Sequence, residues 1–174
     1  VAVRNGQFTL GPFATPLGNH PIRNSGSYSL TAQSTLVNVH RILRAMQLPR
    51  PILLEGPPGV GKSSIIAHLA AITGHKLVRI NLSEHSEISD LLGTDLPAGS
   101  AVESEGDEEQ KGGDQSSSSS SAPRFVWCDG VFLTAMKAGD WVLLDELNLA
   151  PQSVLEGLNA CFDHREEVFL PEIG

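Results

Sequence analysis

Residues 51–64 read PILLEGPPGVGKSS, an apolar run, a glycine-rich loop, a lysine and two hydroxyls in that order. Ile52-Leu53-Leu54 suits a buried strand running to Glu55. Gly56, Pro57, Pro58, Gly59, Val60 and Gly61 then form a loop whose backbone N–H groups turn inward, as a phosphate cradle requires. Lys62 opens a helix whose free N–H groups and positive dipole end favour the same anion. The Ser63 hydroxyl is placed to hold Mg²⁺, with Ser64 beside it. Gly56-x4-Gly61-Lys62-Ser63 is a complete P-loop pattern. A glycine-rich loop can carry a lysine by chance. Here, however, a strand precedes it, and Ile65, Ile66, Leu69 and Ile72 follow at helical spacing up to Gly74. Strand, loop and helix in that order point to nucleotide binding.

A second chemical motif lies downstream. Trp141-Val-Leu-Leu-Asp145-Glu146 is a hydrophobic strand that delivers two carboxylates at its C-terminal end, where open α/β sheets bind ligands. Two such carboxylates are common in any sheet protein. Paired with a P-loop whose Lys62 lies 83 positions before Asp145, they read as a Walker B element. Asp145 would hold Mg²⁺ through water, and Glu146 would orient or deprotonate the attacking water. A glutamate directly after the magnesium aspartate points to ATP hydrolysis rather than a GTP switch, and no Asn-Lys-x-Asp guanine motif occurs. Asn148 is placed to cap the helix that begins near Pro151 and carries Val154, Leu155, Leu158 and Cys161.

The rest of the chain reads as scaffold. Its 174 residues fit one domain with a sizeable core. No apolar run approaches the roughly 18 residues of a membrane span, and Val1 to Leu10 has no apolar segment of a secretory leader. Residues 1–27 are rich in Gly and Pro and are expected to be extended, with a short strand at Phe8–Leu10. Leu36, Val39, Leu43 and Met46 predict a helix from Thr31 to Gln47, with Leu30 and Thr31 just before it as candidates to line an adenine pocket. Lys76–Leu82 is a second strand and Ser86–Leu92 a short helix. Phe125–Trp127 alternates like a strand, Phe132–Ala138 is a helix, and Glu167–Glu172 a final strand. Strand–helix alternation implies a parallel sheet covered by helices. Cys128 and Cys161 are expected to be reduced, buried small residues.

The formal net charge of −8 argues against a nucleic-acid surface. It is also concentrated. Between positions 98 and 123 stand Glu103, Glu105, Asp107, Glu108, Glu109 and Asp114 against Lys111, so −5 of the −8 lies there. With the six serines Ser116–Ser121, this stretch reads as a disordered acidic insertion in a loop, a solvated spacer first of all.

The P-loop stretch, KLVRINLSEHSEISDLLGTDL, FVWCDGVFLTAMKAGDWVLLDELNLA and QSVLEGLNACFDHREEVFLPE together resemble one AAA+ module of the midasin family, very large dynein-related ATPases of ribosome assembly. The Asp-Glu-Leu-Asn-Leu-Ala continuation is similar to the broader MoxR-like group, whose chaperone ATPases share these motifs. The chain departs from the pattern at Val131, where proline is frequent, and at Glu166, where glycine is usual. The resemblance covers nearly everything from position 28 onward outside the insertion.

What it implies is an α/β P-loop NTPase of three-layer αβα type with a parallel sheet, occupying 28–174 and incomplete. A sheet of order 5-1-4-3-2 would receive strands one, two and three from this chain. The fourth strand, the sensors, the arginine finger and the lid would lie downstream, leaving the P-loop strand without a neighbour. The resemblance further implies ATP and Mg²⁺ as cofactors, neighbouring AAA+ modules in a ring and pre-60S ribosomal particle proteins as partners, and a nuclear location. It leaves open a hydrolytic module and a nucleotide-holding scaffold with little turnover.

Overall fold

The computed structural model describes residues 2–4, 6–23, 32–97, 125–163, 167, 168 and 170. The acidic insertion, Leu30, Thr31 and Glu166 lie outside them. The chain opens with three antiparallel strands, β1 (Ala2–Arg4), β2 (Gln7–Leu10) and β3 (Phe13–Pro16). The expectation of an extended segment with one short strand is therefore corrected. Phe8 and Leu10 on β2 are 2 % and 6 % exposed and enter the main core. Three strands with one buried face can hold a register that a lone strand cannot.

Helix α1 (Gln33–Ala45) buries Val39, Ile42 and Leu43 at the predicted spacing. Helix α2 (Lys62–Thr73) follows the loop and buries Ile65, Leu69 and Ile72 against the same cluster. Strand β4 (Leu77–Asn81) pairs in parallel with β7 (Trp141–Asp145), in a register that sets Asn81 opposite Asp145. Side chains alternate across this pair. Trp141 joins the core shared with α1 and α2, whereas Val78, Ile80, Val142 and Leu144 enter a second cluster. That cluster holds residues of α3 (Ile88–Leu92), α4 (Val131–Ala138) and α5 (Gln152–Phe162). Two parallel strands thus lie between two helical layers, the three-layer arrangement expected.

Three further readings change. Ile52–Glu55 forms no strand: residues 51–57 have no regular structure, with Leu53 76 % exposed and only Leu54 packed on the first cluster. An apolar run becomes a strand only when another strand takes its backbone groups, and among the described residues none does. The strand expected at Phe125–Trp127 is present as β6 (Phe125–Asp129), and it pairs antiparallel with β5 (Gly93–Pro97), an additional strand whose glycine and proline ends concealed it. This hairpin flanks the acidic insertion. Cys128, on β6, is exposed rather than buried, while Cys161 is half-buried. Of the strand expected at Glu167–Glu172, residues 167, 168 and 170 are described and are not in a strand.

Candidate nucleotide site

The site forms where the N-terminus of α2 meets the C-terminal end of β7. Gly56, Gly59 and Gly61 take φ of 156°, 79° and 83°, a region other residues enter at a cost of about 1–2 kcal/mol. The left-handed Gly61 immediately precedes α2. No side chain caps that end and its first turn holds no acidic residue. The first N–H groups of a helix have no partner within the helix, so this end offers donors and positive potential to an anion. Loop residues 56–60 are exposed, as is Ser64. Lys62 Nζ donates to the carbonyls of Gly56 at 2.8 Å and Pro57 at 3.0 Å, folding the ammonium over the mouth of the loop.

Across the site, Ser63 Oγ donates to Asp145 Oδ1 at 3.0 Å. The P-loop hydroxyl and the strand carboxylate, 82 residues apart, are thereby brought into one cluster. A hydroxyl and a carboxylate at this separation form an oxygen donor set suited to Mg²⁺, which takes few protein ligands and keeps several waters. The residues present fit that ion.

Glu146 is the one residue other than glycine with positive φ among the described residues, at φ 56° and ψ 42°. Strand β7 ends there, and the chain turns at once into a 3-10 turn, Leu147–Leu149, closed by Leu149 N–H donating to the Glu146 carbonyl at 2.9 Å. Strained backbone of this kind clusters at functional sites because surrounding structure must hold it. The turn leaves the Glu146 carboxylate exposed beside Asp145. Asn148 falls inside the same turn. The reading of it as a helix cap is corrected, since Pro151 precedes α5 and no side chain caps that helix.

Arg79 on β4 was not among the expected site residues. Its Nε donates to Asp145 Oδ2. Strand alternation contained the signal, because Arg79 and Asn81 share a face and Asp145 stands opposite Asn81. What the sequence lacked was the pairing of strands separated by more than sixty positions. Leu30 and Thr31, the adenine-pocket candidates, lie outside the described residues.

The AAA domain (dynein-related subfamily) matches residues 51–111 and 115–172. Midasin of Dictyostelium discoideum is 49% identical over 168 residues, 97% of this chain and 2% of that protein. Midasin of Giardia intestinalis is 47% identical over 160 residues, 91% of the chain and 3% of its own length. An uncharacterised Staphylococcus aureus protein is 29% identical over 143 residues, 82% of this chain and 47% of that protein. The chain therefore spans only a few hundredths of the length of the midasins it resembles. Among the described residues no helix is long and apolar enough to cross a membrane.

Proposed function

The chain belongs to the dynein-related subfamily of AAA domains, and on that premise we propose that it binds ATP with Mg²⁺ and hydrolyses it as one module of a midasin-like ring. The carrying observation is the 3.0 Å contact of Ser63 Oγ with Asp145 Oδ1, which joins the P-loop and the strand end in one donor set. Backbone N–H groups of the 56–61 loop and the first turn of α2 hold the phosphate chain. Lys62 exchanges the Gly56 and Pro57 carbonyls for the outer phosphates. Ser63 and Asp145 hold the cation, which when bound neutralises charge building on the phosphate oxygens. Glu146 accepts the proton of the attacking water, and its exposed position beside Asp145 leaves room for that water. An arginine from a neighbouring module would add roughly 10³-fold or more.

At the level of the whole protein, the proposal is remodelling of pre-60S ribosomal particles in the nucleus, supported by the resemblance to midasins. A second reading, a nucleotide-holding module with little turnover, is favoured by segment 51–57, the entry to the P-loop, which pairs with no strand among the described residues. ATP binding and steady-state hydrolysis in the full-length protein, alongside Glu146→Gln, separate the two. The hydrolytic reading expects turnover to fall by about 10²- to 10⁴-fold with ATP affinity retained. Tight binding without measurable turnover in the unsubstituted module establishes the scaffold reading instead.

A further inference from the structure

The Asp145 carboxylate has its two oxygens divided between two elements. Ser63 Oγ, on α2, donates to Oδ1 at 3.0 Å, and Arg79 Nε, on β4, donates to Oδ2. The parallel register makes this division possible. Arg79 faces Leu143 across the ladder, so its side chain reaches diagonally along one sheet face to the residue two positions on. The Asp145 side chain is 16% exposed and that of Arg79 is 62% exposed. An ion pair with one partner so exposed adds only about 0–1 kcal/mol to stability, so holding the fold together is a poor account of it. Nor does the P-loop lysine do this work, because its ammonium lies on the Gly56 and Pro57 carbonyls. Lys76–Asp140 and Lys137–Asp129 form separate ion pairs and leave Asp145 to Arg79.

We infer that Arg79 is a positioning residue for the metal site: by holding Oδ2 it fixes the rotation of the Asp145 carboxylate, so that Oδ1 is presented to the cation and its water. This rests on the reading of Ser63 and Asp145 as the Mg²⁺ pair. A carboxylate restrained at one oxygen loses little rotational freedom when the other engages a metal-bound water, whereas a free one must be ordered at that moment. Partners that orient metal ligands in this way change metal affinity by roughly 10- to 100-fold when removed. Arg79 itself need touch neither nucleotide nor cation.

The test is the Mg²⁺ gain, the ratio of the ATP dissociation constants in EDTA and in Mg²⁺, measured on the full-length protein. Arg79→Gln is expected to leave the melting temperature and the EDTA affinity nearly unchanged and to shrink the gain by about 10-fold or more. Arg79→Lys, which keeps the charge but not the planar donor, should recover part of it. In an Asp145→Asn background, Arg79→Gln should have no further effect, since the residue acts only through that carboxylate. An unchanged gain in Arg79→Gln overturns the inference and makes the pair a surface contact. A larger gain overturns it too, because the guanidinium would then compete with the metal. If the unsubstituted protein shows no Mg²⁺ gain, the metal pair itself is wrong and the role of Arg79 fails with it; a normal gain that Arg79→Gln preserves sinks the Arg79 role alone.

Discussion

The two ends of α2 are treated in opposite ways. At the C-terminal end, Gly74 turns left-handed at φ 71°, and the segment after β3 lies across it. Gly18, His20 and Arg23 donate their backbone N–H groups to the carbonyls of Thr73, Gly74 and Ala71 at 2.8, 2.9 and 3.0 Å. Thr73 is fully buried, its hydroxyl donating to the Leu69 carbonyl and meeting His75 Nδ1, while the His75 ring stacks on Trp141 at 4.5 Å. The acceptors a helix leaves open at this end have been supplied with donors from the protein itself. The N-terminal end has no side-chain cap and an exposed loop. A helix end closed by its own chain is structural, and one kept open is available for a ligand.

The largest expected effect breaks the open end. On the proposed reading, Lys62→Met removes charged hydrogen bonds to phosphate, each contributing about 1.5–3 kcal/mol, so ATP affinity should fall by roughly 10- to 100-fold in a calorimetric titration. The melting temperature should hardly move, because the bonds Lys62 makes here are solvent-exposed.

Gly18→Leu attacks the closed end. A Cβ at this position would stand 2.1 Å from the Gly74 carbonyl oxygen and 3.0 Å from His75 Cα, both backbone atoms that cannot rotate away. The overpacking should cost about 1–3 kcal/mol, several degrees of Tm for a chain of this size, while folded molecules keep their ATP affinity. A variant that melts normally would mean that the strap over α2 is loosely held.

The smallest effect sharpens the contrast by pH. Burial, and then the neighbouring charge of His20, hold the His75 imidazole below its usual range. The unfolded chain therefore binds this proton more readily than the folded one. Stability from this site is complete above the ordinary histidine value of about 6.5 and declines as pH falls through it towards the lowered folded value. Buried His68 is shifted the same way. Melting curves between pH 5 and 8 should show this slope, shallower in His20→Gln, with no matching change in nucleotide affinity.

By itself the sequence determined whatever depends on short-range pattern. The glycine loop of Gly56 to Gly61 opening α2, the apolar face of that helix, the closing Gly74, and the strand ending in Asp145 with Glu146 directly after it are set by backbone preferences and periodicities of a few residues, legible without a partner. Tertiary structure decided what depends on distant neighbours. Ile52 to Glu55 has the composition of a strand, yet a strand exists only when another chain segment accepts and donates its hydrogen bonds. Asn148 had a cap's chemistry but fell within a turn that the Glu146 backbone forces. The strap of residues 17–23 has no signature of its own, since its role lies in donors aimed at another element's carbonyls. The union of Ser63, Asp145 and Arg79 required the β4–β7 register. Side chains more than sixty positions apart meet only once the sheet has set which strand lies beside which.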